Sequence, residues 1–144
     1  QRACLSKTTA SYKQTEHRAV MERTQQPCPA VLVVEDEVVI RMEAIDMLQD
    51  AGFRTFEARS ADAALIVLER ETGIAFLFTD VDMPGSMNGL DLAARVSKTW
   101  PHIHIIIVSG MLDAAQEDLP QGACFFPKPY PTSEIVQKMC ELGR

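Results

Sequence analysis

Residues 74–85, Ile74-Ala75-Phe76-Leu77-Phe78-Thr79-Asp80-Val81-Asp82-Met83-Pro84-Gly85, decide the fold of this chain. Six mostly apolar residues without polar alternation run into a carboxylate and then a Pro/Gly turn. That is the pattern of a strand buried on both faces and ending at Asp80. Strands of this kind belong to parallel sheets, whose two faces are covered by crossover helices. Ligands of open sheets bind beyond the carboxyl ends of the strands, which is where Asp80 stands. Alone, an Asp in a turn is a backbone cap, so the rest of the chain must either supply Asp80 with chemical neighbours or leave it structural.

Toward the amino end, Ala30-Val31-Leu32-Val33-Val34 is a short β-branched strand. Residues 37–51 then carry Val38, Met42, Ile45 and Leu48 at helical spacing up to Gly52. Phe53 to Ala58 reads as a second strand, and Ser60 as the N-cap of a helix built on Ala64, Leu65 and Leu68 that ends near Gly73. Beyond Asp80, Gly89 to Thr99 is helical, with Leu90, Ala93, Ala94 and Val96 as core candidates. Pro101 precedes the fourth strand, Ile103-His104-Ile105-Ile106-Ile107-Val108. A short helix between Met111 and Leu119, a brief strand Ala123-Cys124-Phe125-Phe126 and a closing helix over 132–142 complete five βα units. The expectation is an α/β, doubly wound, five-stranded parallel sheet with right-handed crossovers and order 2-1-3-4-5, flavodoxin-like.

A length of 144 residues, 47% hydrophobic and 24% charged, fits one globular domain. We place it at residues 30–144. Residues 1–29 hold five basic side chains against two acidic ones, a net of +3, so the remainder carries −9. The basic segment lacks periodicity and ends in Pro27-Cys28-Pro29, as a flexible tail or a linker from something upstream would; Met21 is a candidate natural start. An acidic body argues against nucleic acid as a partner, since that binding needs clustered Lys/Arg. No apolar run approaches the roughly 20 residues that span a bilayer, and the expected setting is cytoplasmic, with no membrane partner. Cys4, Cys28, Cys124 and Cys140 match no zinc or dense disulfide spacing and read as reduced thiols.

On the expected sheet, Glu35-Asp36 follows the first strand, Asp80 ends the third, Ser109 follows the fourth and Lys128 the fifth. Those four strands lie side by side, so these groups converge on one pocket at the topological switch point. Each has an ordinary explanation alone: a helix cap for Glu35-Asp36, a turn for Ser109-Gly110, a solvated loop charge for Lys128. Their coincidence at four strand ends favours chemistry. Three carboxylates together are costly unless a hard cation lies between them, and Mg²⁺, which takes oxygen ligands from one or two carboxylates plus phosphate, fits. One carboxylate can then act as a nucleophile that forms an acyl phosphate. Mg²⁺, Lys128 and the Ser109 hydroxyl, with nearby backbone N–H groups, would share the phosphoryl oxygens. His102 and His104 alternate on a strand, but two ligands without a third make a poor metal site.

Val31-Leu32-Val33-Val34-Glu35-Asp36-Glu37, Thr79-Asp80-Val81-Asp82-Met83-Pro84-Gly85, Val108-Ser109-Gly110 and Pro127-Lys128-Pro129-Tyr130 together resemble the receiver domain of two-component response regulators, over residues 30–144. The resemblance implies Asp80 as phosphoacceptor, Glu35 and Asp36 as the acid pair for Mg²⁺, and Asp82 as the residue whose backbone carbonyl completes the metal site. It also implies Ser109 as switch hydroxyl, Lys128 as phosphate-binding lysine and Phe125 as aromatic switch. The loop 83–89 is one residue longer than the common form, and the helix before Pro120 is short.

So read, the chain is a signalling phosphoacceptor that catalyses only its own phosphorylation and dephosphorylation. It takes the phosphoryl group from a sensor histidine kinase or a histidine phosphotransfer protein and answers through a protein-binding surface to a downstream protein. No DNA-binding output segment is expected, and either a stand-alone receiver or the terminal receiver of a hybrid histidine kinase fits. Asp80-Val81-Asp82 also looks like the Asp-x-Asp of haloacid dehalogenase-like phosphotransferases, with Asp80 as nucleophile and Asp82 as acid/base. That family usually places its nucleophile after the first strand, whereas here an acid pair comes first.

Overall fold

The computed structural model describes residues 29–110 and 119–143. Within them lie β1 (Ala30–Val34), α1 (Val38–Asp50), β2 (Arg54–Ala58), α2 (Ala61–Arg70), β3 (Ile74–Asp80), α3 (Gly89–Thr99), β4 (His104–Ser109), β5 (Cys124–Pro127) and α4 (Thr132–Leu142). The strands form one parallel sheet in the order β2-β1-β3-β4-β5, as the alternation of elements predicts. The expected tail, except Pro29, and the expected helix between Met111 and Leu119, except Leu119, lie outside the described residues.

Every residue of β1 is buried, and β3 is buried except for a half-buried Ala75. Because strand side chains alternate between faces, each strand feeds two cores. Leu32, Val34, Leu77, Ile105 and Ile107 pack with Ala64 and Leu68 of α2 and with Leu92, Ala93 and Val96 of α3. Val31, Val33, Phe76, Phe78, Ile106 and Val108 pack with Ala44 and Leu48 of α1 and with Ile135 and Met139 of α4. Two cores on one sheet are what the unbroken apolar runs demand.

Two helices depart in part from the sequence expectation: Leu48, Ala93 and Val96 are buried as expected, with Ile45 and Leu90 at the edge of the core, and the rest differ. In α1 the buried residues are Ala44 and Leu48, while Val38 and Met42 are each 57% exposed. The helix starts at the carboxyl edge of the sheet, and burial begins only in its second half. In α3, Leu92 is buried and Ala94 exposed, so the inward stripe is Gly89, Leu92, Ala93 and Val96. Its start is fixed by a capping box: the Asn88 side chain accepts from Asp91 N–H at 2.9 Å, and the Asp91 carboxylate accepts from Asn88 N–H at 3.2 Å. Ser60 caps α2 as expected, accepting from Ala63 N–H at 3.1 Å.

Candidate functional site

The strand ladder itself brings the singled-out residues together. Glu35 N–H donates to the Ala58 carbonyl at 3.1 Å, so β1 stays paired up to its acid. Asp80 is the register partner of Val108, and Val81 N–H donates to the Val108 carbonyl at 3.1 Å. Ser109 is the partner of Pro127, and its carbonyl accepts from Lys128 N–H at 2.8 Å. Glu35, Asp80, Ser109 and Lys128 therefore stand on four adjacent strand ends. The Lys128-Pro129 peptide bond is cis.

Asp80 is only 5% exposed. Lys128 Nζ lies 3.2 Å from Asp80 Oδ2 and 3.5 Å from Glu35 Oε2, bridging the two acids. The other acceptor oxygen, Asp80 Oδ1, is buried without a hydrogen-bond partner. Glu35, Asp36 and Asp80 each offer a carboxylate oxygen, all within 4.8 Å of one another, and Asp36 is the least buried of the three. Ser109 is fully buried one residue past Val108. Phe125 is half-buried against the core beneath α2 and α3. Asp82 is exposed and stands outside the carboxylate group. His102 and His104 join no metal-ligand group among the described residues, and the His104 ring packs on Phe76 with centroids 5.3 Å apart.

The electrostatics follow from this crowding. Burial pushes the Glu35 carboxyl up to about 7, and the Asp80 charge acts in the same direction, against the Glu37 N–H and the Lys128 ammonium. Burial alone would weaken the Lys128 ammonium, but the charges of Asp80 and Glu35 more than offset it and leave its pKa above the ordinary value. Burial likewise pushes the Tyr130 hydroxyl up, beside an edge-on contact of its ring with Phe78. A buried acceptor without a donor costs about 1–3 kcal/mol, and a neighbouring carboxylate tilted toward its neutral form adds to the strain. A hard cation among these oxygens would relieve both. The donor set is all oxygen, as Mg²⁺ prefers, and Asp80 Oδ1 has its lone pairs uncommitted. Glu35, Asp36 and Asp80 are the residues that fit such an ion.

Two residues that sequence reasoning missed complete the site. Gly89 packs directly under Asp80: a Cβ there would overlap the Asp80 carbonyl oxygen. Arg41 donates from Nη1 to the Glu35 carbonyl at 2.8 Å. Asn88 announces a helix start in the sequence, but not that the next residue abuts a strand end. A single Arg on a mostly exposed helix gives no signal at all.

The family model described as response regulator receiver domain matches residues 31–139. The chain is 37% identical over 116 residues to the sensor kinase CckA of Brucella abortus, covering 78% of this chain and only 12% of that protein. It is 32% identical over 108 residues to sporulation initiation phosphotransferase F of Bacillus subtilis, covering 73% of this chain and 86% of that one. Among solved structures, the response regulator protein TrrA of Thermotoga maritima, in complex with Mg(2+)-BeF, superposes with a TM-score of 0.72 at 26% identity over 79% of this chain and 98% of that one.

Proposed function

The chain belongs to the response regulator receiver domain family, and on that premise we propose that Asp80 accepts a phosphoryl group from a phosphohistidine in a Mg²⁺-dependent reaction. The observation that carries this is the state of Asp80: one oxygen held by Lys128, the other buried without a partner, and two further carboxylates within 4.8 Å. A carboxylate oxygen of Asp80 is the nucleophile. It attacks phosphorus in line as the P–N bond to the donor imidazole breaks, and the imidazole leaves with the electron pair. Lys128, now 3.2 Å from Oδ2, is within reach of a phosphoryl oxygen and balances its charge. Mg²⁺ held by Glu35, Asp36 and Asp80 would neutralise the transferring oxygens, which is most of what phosphoryl transfer asks of a protein.

After transfer the buried Ser109 hydroxyl hydrogen-bonds the new phosphoryl group. Phe125, on the same strand-face alternation, packs inward and alters the surface beside β5. Water attack on phosphorus returns Asp80 to its free form. The phosphodonor is a sensor histidine kinase or a histidine phosphotransfer protein, and the readout is a downstream protein that binds one state of that surface. The 37% identity to a sensor kinase supports a second version, a terminal receiver of a hybrid kinase, with the same chemistry at Asp80. The exposed position of Asp82 gives no support to an Asp-x-Asp phosphotransferase.

Incubating the protein with Mg²⁺ and acetyl phosphate, followed by intact mass, tests the proposal. One phosphoryl adduct is expected, abolished by Asp80→Asn and by EDTA. No adduct on the wild type, or an undiminished one on Asp80→Asn, overturns it.

A further inference from the structure

We propose that Arg41 is a positioning residue for the carboxylate site, holding the peptide that joins Glu35 to Asp36 and so aiming both acids at a shared cation. The inference rests on the reading of those acids as metal-binding. The Glu35 N–H ends the ladder on Ala58, and the carbonyl of the same residue is the acceptor for Arg41 Nη1 at 2.8 Å. That carbonyl belongs to the peptide unit between Glu35 and Asp36. With the Glu35 N–H anchored on Ala58, fixing this plane restricts ψ of Glu35, and the position it gives the Asp36 nitrogen limits where the second acid can point.

The usual devices for setting such a turn are missing. The α1 N-cap, Glu37, makes no side-chain capping bond, and the first turn carries no acidic residue. What remains is the Glu35 Oε1 bond from Glu37 N–H at 3.2 Å, the first helical bond from Arg41 N–H to the Glu37 carbonyl at 2.9 Å, and the Arg41 side chain reaching back over the turn. The Arg41 side chain is 13% exposed, so its stem is packed. Its second contact is weaker: Nε lies 3.7 Å from Oε1 of Glu57, a side chain 60% exposed, and a pair of this kind contributes little in water. The carbonyl bond is therefore the one that matters to the site. Arg suits the task because its rigid fork and long stem direct donors to a distant acceptor, whereas Lys has a single flexible ammonium.

Groups that orient ligand side chains typically cost about 10–100-fold in metal affinity when removed. Isothermal calorimetry with Mg²⁺ on the full chain, paired with urea unfolding in EDTA, tests the role for wild type, Arg41→Met, Arg41→Lys and Glu57→Gln. The expected result is Mg²⁺ binding weakened about tenfold or more in Arg41→Met, weakened less in Arg41→Lys, and unchanged within about twofold in Glu57→Gln. Reduced stability in EDTA with wild-type Mg²⁺ affinity would make Arg41 an ordinary helix strut and overturn the inference. So would Glu57→Gln matching the loss in Arg41→Met, since the ion pair would then be the active contact. Should Arg41→Met fail to fold, the Arg41→Lys affinity decides: a wild-type value overturns the inference. A wild type that binds no Mg²⁺ defeats the metal reading itself, and this inference with it.

Discussion

Replacing Gly89 by alanine puts a methyl group where the main chain of Asp80 already is. The added Cβ would overlap the Asp80 carbonyl oxygen and sit 2.7 Å from its carbonyl carbon and 2.8 Å from Val81 Cα. Ordinary contact begins near 3.4 Å, so the shortfall to the carbonyl carbon alone is about 0.7 Å. Because the obstacle is backbone, no rotamer relieves it: either the first turn of α3 lifts or the Asp80-Val81 peptide moves. Gly89 N–H also donates to the Val81 carbonyl at 2.9 Å, which ties the two together. Overpacking of this sort costs about 1–3 kcal/mol, a sizeable share of a total of about 5–15 kcal/mol. A misplacement of about 1 Å at a reacting group costs roughly 10²-fold in rate, so a shift of this size should slow adduct formation on Asp80 by roughly 10- to 100-fold. The assay is the initial rate of labelling by acetyl phosphate at saturating Mg²⁺, well below the unfolding midpoint, beside urea unfolding in EDTA. A Gly89→Ala protein that labels at the wild-type rate and unfolds within about 0.5 kcal/mol of wild type refutes the reasoning.

Three more outcomes follow from the charges at the site. Since burial and the Asp80 charge push Glu35 from 4.5 up to about 7, the folded chain holds a proton in that window that the unfolded chain has released. Stability in EDTA should therefore fall as pH rises through the window, by up to about 3 kcal/mol, and Mg²⁺ should abolish the fall. The check is the urea midpoint of wild type minus that of Glu35→Gln between pH 5 and 8; a difference that rises with pH contradicts it. Lys128→Met removes the cation shared by Asp80 and Glu35 and should cost about 2 kcal/mol in EDTA at pH 8, largely restored by Mg²⁺, with a labelling rate at least about tenfold lower. Equal stability of the variant and wild type in EDTA would count against the bridging role. Asp82→Asn should leave Mg²⁺ affinity within about twofold by calorimetry, because its exposed carboxylate lies outside the cluster; a larger loss would mean that the side chain itself ligates.

How far the sequence foretold this site depends on what kind of contact each residue makes. Strand period and helix period are local, so the uninterrupted run through Phe76 to Asp80 and the alternation with helices were enough to place Glu35, Asp80, Ser109 and Lys128 on neighbouring strand ends. The facing of α1 was not local. Val38 and Met42 obey helical spacing but lie in the half of the helix where burial has not begun, and spacing alone cannot say where along a helix the sheet lies beneath it. Gly89 and Arg41 escaped notice because one acts by having no side chain where two elements meet, and the other by bonding a main-chain carbonyl.

On the proposed chemistry, the same geometry would let the site serve as a switch. As it stands it keeps one carboxylate oxygen unsatisfied in the interior and a second acid tilted toward its neutral form, with the Lys128 ammonium shared between the pair. Those are costs of the free state, and they are relieved only by positive charge among the oxygens or by a phosphoryl group that takes new donors. A ligand that binds only the folded chain stabilises it by about 2.7 kcal/mol at a hundredfold excess over its dissociation constant. The groups involved stand at the ends of β1, β3, β4 and β5. On the proposed chemistry, a phosphoryl group at Asp80 would offer Lys128, now 3.2 Å from Oδ2, and Ser109 a new acceptor. The Ser109 carbonyl already holds the Lys128 N–H at 2.8 Å, which ties the end of β4 to β5, the strand that carries Phe125. The crowded acids and the edge strand β5 are thus joined in one arrangement, through Lys128.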